Sequence, residues 1–210
     1  MKEASGRGER SVIYTFEESP EILLKRSESI NIPIKKMVQK DRLLIEKVDP
    51  LEYTPDEFTH KVKTEVEENN TKIVMIDSVS GYKLAFENLA NDNNEIVRNL
   101  HALTDYLTEM GITVLLINEI QNITGDFKVT ELGISYMADN IIFLRYLEME
   151  GVLNKAIGVL KKRLSDFENK MRQFQITKYG IKVGKPLTQL RGILTGNPEF
   201  TKKRERRYDS

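Results

Sequence analysis

The sequence predicts an α/β fold, a mostly parallel β-sheet flanked by helices with an antiparallel extension towards the C-terminus. Three observations predict it. Short apolar, β-branched runs end in polar or acidic residues, most clearly Lys72-Ile73-Val74-Met75-Ile76-Asp77-Ser78, which suits a buried strand and is too short for an ordinary helix. Between such runs lie stretches with apolar residues every three or four positions, the signature of helices with one buried stripe. Strands alternating with helices imply right-handed crossovers and parallel pairing. In the last third, strand-like runs follow one another directly, and Glu148-Met149-Glu150-Gly151 suits a hairpin turn, so this part is expected to be antiparallel and to close the sheet.

Each element has its own local reason. Met1 to Arg10 is polar and contains Gly6 and Gly8, which reads as the tail of a preceding element. Ser11 to Phe16 is rich in strand formers, and Ser19-Pro20 supplies a helix cap followed by Pro in the first turn, so a helix is expected from Pro20 to about Ile30. A strand over Arg42 to Val48 leads to Thr54-Pro55-Asp56-Glu57, a capping box, after which Phe58, Val62 and Val66 form one stripe. The Asp77 strand follows, then a polar segment from Ser78 to Asn94. Next comes a helix bearing Ile96, Leu100, Leu103 and Leu107 and ended by Gly111. Ile112 to Ile117 is a further buried strand, closed by Asn118-Glu119. Asp139 to Leu147, Val152 to Lys162 and Met171 to Thr177 complete the strands.

Composition narrows the function classes. At 210 residues and 40% hydrophobic the chain can bury one sizeable core, so one domain over residues 1–200 and a basic tail over 201–210 is the expected organisation. Lys+Arg and Asp+Glu both number 32, so no global field recruits nucleic acid or an anionic membrane. The absence of cysteine excludes disulfides, thiolate catalysis and Cys-bound zinc. His60 and His101 lie in helical patterns and suit packing or surface roles better than metal binding. No apolar run approaches a membrane span and no signal-peptide core follows Met1; the expectation is a soluble cytoplasmic protein.

The chemistry-bearing residues stand at strand ends. Ligands of open α/β sheets bind outside the carboxyl ends of the strands, which puts Asp77 where a water-bound Mg²⁺ could sit; a solvated acid at a strand end is the plainer alternative. Glu17-Glu18 also follow a strand directly, and adjacent carboxylates there suit activation of a water, one as base and the other holding a metal or partner. Acids in a first helical turn are also favoured by the macrodipole, with no catalytic role.

The motifs Arg7-Gly8-Glu9-Arg10, Phe16-Glu17-Glu18-Ser19, Ile76-Asp77-Ser78, Ile134-Ser135, Ala138-Asp139-Asn140, Leu160-Lys161-Lys162-Arg163 and Gly192-Ile193-Leu194-Thr195-Gly196, in this order and spacing, resemble the KaiC family of RecA-type P-loop ATPases over nearly the whole chain. The resemblance implies a RecA-like sheet, ATP and Mg²⁺ as cofactors, and a ring-shaped homo-oligomer, usually a hexamer. It matches Glu17 and Glu18 to the family's catalytic glutamates, which orient water and assist the metal, and Asp77 to the Walker B acid, with Ser78 beside the nucleotide. Lys161 and Arg163 match basic residues that reach the nucleotide of a neighbouring subunit, and Lys155 and Lys162 lie close enough in sequence to line it too. A charged strand face is the alternative for all four. Clock members carry a Ser-Thr phosphoacceptor pair where this chain has Ser135-Tyr136, which leaves Ser135 as one acceptor.

The chain departs from the family in one large respect. It contains no Gly-x-x-x-x-Gly-Lys-Ser/Thr, the loop whose backbone N–H groups and lysine cradle phosphates. Gly180-Ile181-Lys182-Val183-Gly184-Lys185-Pro186 has one residue too few between its glycines and Pro where Ser or Thr must bind Mg²⁺. The family's P-loop strand and helix lie upstream of the Arg-Gly-Glu-Arg segment, so the expectation is a partial domain, completed by a missing segment or by a partner, that binds nucleotide weakly alone. The missing strand would lie between the 112–117 and 139–147 strands, and its loss is expected to leave unpaired edges or force those two together. Leu164 and Phe167 replace the Gly and His common after the basic pair. A non-catalytic oligomerisation or signalling module is the second reading. A recombinase-like binder of single-stranded DNA is the third, using the 119–134 loop and the basic tail; Lys128 is that loop's lone base and Phe127 its lone stacking ring, so nucleic acid is the weakest partner.

Overall fold

The computed structural model describes residues 1–89, 93–119, 134–195 and 198–201. The chain divides into two compact units, Met1–Glu119 with Lys178–Gly180, and Ile120–Thr177 with Ile181–Ser210.

The first unit runs α1 (Lys2–Gly6), β1 (Arg10–Thr15), α2 (Pro20–Ser29), α3 (Ile34–Gln39), β2 (Leu43–Lys47), α4 (Pro55–Asn69), β3 (Thr71–Asp77), α5 (Val79–Phe86), α6 (Asn93–Glu109) and β4 (Thr113–Ile117). Its four strands form one sheet in the order β2-β1-β3-β4, every pair parallel. Residues 11–15 of the central strand β1 are all buried, as a strand covered on both faces requires. On one face Ile13 packs with Leu23, Ile34, Met37 and Leu43 from α2, α3 and β2. Its neighbour Tyr14 points the other way and meets Phe58 of α4 edge-on, ring centroids 5.2 Å apart. Phe16, Tyr82 and Phe86 extend this aromatic cluster, and α6 buries Ile96, Leu100, Leu103 and Leu107.

The predicted capping box of α4 is formed. Glu57 N donates to Thr54 Oγ1 at 3.3 Å and Thr54 N donates to Glu57 Oε2 at 2.8 Å. Thr54→Ala removes one of these partners and is expected to cost about 1 kcal/mol, read as a melting temperature roughly 2–4 °C lower. Three helices fall where the sequence reading had none: α1 in the stretch read as the tail of a preceding element, α3, and α5 inside the stretch read as a polar segment. Ser78 caps α5 by accepting from Gly81 N at 3.0 Å, and Tyr82 and Phe86, one turn apart on it, are fully buried.

The far end of the sheet is held by a buried ion pair. Arg10 Nε donates to Glu65 Oε1 at 2.8 Å, with the side chains only 12% and 10% exposed. Thr71 Oγ1 at 2.8 Å and Asn69 Nδ2 at 2.9 Å also donate to the Glu65 carboxylate, and Arg10 pairs in addition with Asp41. One carboxylate thereby ties the starts of β1 and β3 to the end of α4.

The second unit contains the antiparallel sheet β5-β6-β7-β8, formed by Asn140–Met149, Val152–Lys162, Arg172–Thr177 and Gly180–Pro186, and the short pair β9 (Leu190–Arg191) and β10 (Glu199–Phe200). The predicted β5–β6 turn is present. Glu150 and Gly151 both have positive φ, 53° and 74°, the left-handed pair that a tight hairpin needs. Leu147, Ala156, Leu190 and Ile193 form this unit's core. The glycine-rich stretch from Gly180 is the strand β8 rather than a phosphate loop.

One expectation is corrected. Among the described residues the antiparallel strands do not close the parallel sheet but form a sheet of their own, in which β5 is an outer strand, while β4 is an outer strand of the first. Both outer strands leave apolar residues in solvent: Leu115 (40% exposed) and Ile117 (37%) on β4, Ile142 (64%) and Leu144 (60%) on β5.

Candidate active site

The acids predicted from sequence gather at the carboxyl end of the parallel sheet. Thr15, the last residue of β1, stands opposite Asp77, the last of β3, and Phe16 N continues the ladder by donating to Asp77 O at 2.9 Å. Glu17 and Glu18 follow at once, so their position is fixed by strand register. Thr15 Oγ1 bonds both the N–H and the carbonyl of Glu18, at 3.2 and 3.1 Å, which folds the chain sharply between β1 and α2.

Each glutamate has a different holder. Ser78 Oγ donates to Glu17 Oε1 at 2.8 Å, so the residue after Asp77 orients the first glutamate and caps α5 with the same hydroxyl. Space there is tight: a side chain on Gly81 would bring its Cβ within 2.8 Å of Phe16 Cβ and 3.2 Å of Glu17 Oε1. Glu18 Oε1 accepts from Arg26 Nη1 at 2.7 Å, whereas Glu18 Oε2 is shielded from solvent and has no hydrogen-bond partner among the described residues. Nearby, Ser80 Oγ donates to Asn118 Oδ1 at 3.2 Å, linking α5 to the end of β4, where Glu119 follows.

The electrostatics reflect this gathering of acids. Asp77 is held above the ordinary carboxyl range, first by burial and then by the negative charge of Glu18, with Arg26 opposing and Glu17 and Glu119 adding. A carboxyl whose folded pKa is raised supports the fold when protonated and costs stability as pH rises through that pKa. Asp77→Asn is therefore expected to raise the melting temperature of the free chain at pH 7 and to leave it nearly unchanged well below 3.8, the ordinary aspartate value. Melting curves at the two pH values check both halves.

The arrangement suits a divalent cation bound through water. Among the described residues, no three acids or histidines lie close enough to wrap a metal directly. Mg²⁺, however, keeps several waters and takes one or two carboxylates besides its phosphates, and Glu18 Oε2 is a shielded acceptor lacking a donor. Asp77, Glu17 and Glu18 are the residues that fit.

The basic residues named from sequence belong to the second unit, and not all are brought together. Lys161 Nζ donates to Ser135 O at 2.9 Å. Arg163 donates to Asp139 Oδ1 at 3.1 Å and to Tyr136 O at 2.9 Å, so the pair grips the 135–139 segment that includes Ser135. Lys155 lies six residues back along β6, roughly 20 Å away for extended chain, over the ring of Tyr146 at 5.4 Å. Lys162 is exposed. The 120–133 part of the loop read as a nucleic-acid contact, and the tail from 202 onward, lie outside the described residues. Arg26 and Arg10 went unremarked as site and core residues, since their partners are respectively eight and fifty-five positions away.

A helix-flanked, four-stranded parallel sheet with acids gathered at its strand ends is an α/β domain of the RecA type. The comparisons agree. The family model for the KaiC ATPase matches residues 1–188. Circadian clock protein KaiC3 of Synechocystis is 30% identical over 198 residues, 94% of this chain and 38% of its own length. The circadian clock oscillator protein KaiC of Synechococcus elongatus is 26% identical over the same share of this chain and 37% of its own length. Among solved structures, a KaiC-like protein from the hyperthermophilic archaeon Pyrococcus horikoshii OT3 superposes with a TM-score of 0.74 at 25% identity, over 88% of this chain and 79% of that one. The chain belongs to the KaiC ATPase family. It spans well under half the length of the curated relatives. No helix among the described residues is long and apolar enough to cross a membrane.

Proposed function

We propose that this chain is part of an ATP-binding and ATP-hydrolysing domain of the KaiC type, whose phosphate loop is supplied from outside residues 1–210, by further polypeptide or by a partner. The observation that carries the reading is the register of Thr15 against Asp77, which sets Glu17, Glu18 and Asp77 on one rim. Glu17 and Glu18 orient and deprotonate the attacking water, Asp77 holds Mg²⁺ through water, and Ser78 fixes Glu17. Bound Mg²⁺ supplies charge neutralisation at the phosphates. Lys161 and Arg163 act in trans on a neighbour's nucleotide, with Lys155 and Lys162 as further contacts, which calls for a homo-oligomer, in the family's usual arrangement a hexameric ring. Ser135 is the candidate phosphoacceptor. The outer position of β4, with an apolar sequence on both faces, supports a sheet that takes one more strand.

The test is to join residues 1–210 to a segment supplying a strand and a Gly-x-x-x-x-Gly-Lys-Ser/Thr loop, here termed the completed domain. It is expected to bind Mg-ATP in about the micromolar to millimolar range and to turn it over, whereas the 210-residue chain does neither appreciably. A folded completed domain that binds no nucleotide overturns the reading.

A second reading, a non-catalytic oligomerisation or signalling module, is favoured by the engagement of Lys161 and Arg163 within their own chain. It calls for an assembly whose size by light scattering is the same with and without Mg-ATP.

A further inference from the structure

The pairing of Arg26 with Glu18 has no counterpart in the roles assigned so far. Arg26 lies in the last turn of α2, and its side chain is 59% exposed against 31% for Glu18. It sets a positive charge against Glu18, and it is the group that opposes the effect of the acids on Asp77. The Glu18 carboxylate is half satisfied: one oxygen is charge-paired, and the other is shielded from solvent with no donor. A shielded acceptor left unmatched is costly, and a cation with its bound water could satisfy both oxygens at once. The guanidinium, on a long and largely exposed arm, can leave for solvent at small cost because exposed ion pairs are weak.

We propose that Arg26 is a built-in counter-ion for Glu18, a positioning residue that holds this glutamate when no divalent cation is bound and is displaced when one arrives. The inference rests on the functional reading above, in which the same acids face a metal. Arg26 keeps the acids from repelling one another apart in the metal-free chain, and its departure frees Glu18 for water activation once the cation is loaded. Cation binding and the Arg26–Glu18 pair exclude one another, so removing the guanidinium strengthens metal binding, opposite to the effect of removing a ligand.

The experiment uses the 210-residue chain and Mn²⁺ alone, with free Mn²⁺ followed by its electron paramagnetic resonance signal and folding checked by circular dichroism. Arg26→Gln is expected to bind Mn²⁺ about five-fold more tightly than the native chain, equivalent to ~1 kcal/mol, and Arg26→Lys, which keeps the charge, to lie near the native value. Glu18→Gln should bind more weakly, and adding Arg26→Gln to it should restore nothing, because Arg26 acts through Glu18. Unchanged or weaker binding by Arg26→Gln, or an equal gain in the Glu18→Gln background, overturns the proposal. If Glu18→Gln and Asp77→Asn instead bind Mn²⁺ as the native chain does, the metal does not go to these acids and the functional reading falls with the proposal; if none of the proteins takes up Mn²⁺, the proposal alone is overturned.

Discussion

Replacing Glu17 and Glu18 together by Gln is expected to lower ATP turnover of the completed domain by about 10²–10⁴-fold, the contribution of a positioned general base, while nucleotide affinity stays within a few-fold. Both carboxylates are lost but their volume is kept, so the aromatic cluster beneath them, where Phe16 leads directly into the pair, is left intact. Ser78 Oγ can still donate to a Gln at position 17, which preserves the α5 cap. The loss should therefore fall on kcat and not on KM, since the interaction removed serves water and developing charge more than bound nucleotide. Steady-state kinetics with a parallel binding titration separates the two. Unaltered kcat in the double variant would remove Glu17 and Glu18 from the mechanism.

The second large effect concerns stability. Glu65→Ala is expected to destabilise the chain by roughly 3 kcal/mol, because it takes the buried partner from Arg10 Nε, where the side chain is only 12% exposed, and leaves the guanidinium to the exposed Asp41. Thr71 Oγ1 and Asn69 Nδ2 lose their acceptor in the same step. For a chain of this length the melting temperature should fall by about 6–12 °C. Replacing both partners by apolar residues, Arg10→Met with Glu65→Leu, should recover most of that loss, since the burial of two charges is then no longer required. A double-mutant cycle by denaturant unfolding measures the coupling. Additive behaviour would mean that the pair contributes nothing of its own.

The fold was legible where a local pattern and its burial coincide. The apolar run before Asp77 and the run before Glu17 had to be strands, and the Thr54 capping box with Phe58, Val62 and Val66 had to open a helix whose stripe meets the sheet. The short helix α3 escaped because Pro33 at its start offers no side-chain cap. The α5 helix escaped because Gly81 and Ser80 near its start read as loop, although Ser78 as cap with Tyr82 and Phe86 one turn apart was a usable signal. The candidate site was legible in kind but not in arrangement. Acids at strand ends can be read from sequence; the opposition of Thr15 and Asp77 is a tertiary fact, set by which strands are neighbours. The ion pairs of Arg26 and Arg10 were invisible for the same reason, since a charge-paired Arg carries no periodicity of its own. The outer position of β4 is the clearest mismatch between local and global levels, a strand with a central strand's composition standing at an edge.

The most direct measurement of the central claim, that Glu17, Glu18 and Asp77 face one metal–nucleotide pocket, is paramagnetic broadening of carboxyl carbon resonances in the completed domain loaded with Mn-ADP. Signals of Glu17, Glu18 and Asp77 should broaden together, while that of Glu65, which bonds Arg10 and Thr71 at the opposite ends of β1 and β3, should stay sharp. Sharp signals for Glu17 and Glu18 beside a broadened Asp77, or broadening spread evenly over all four, would contradict it.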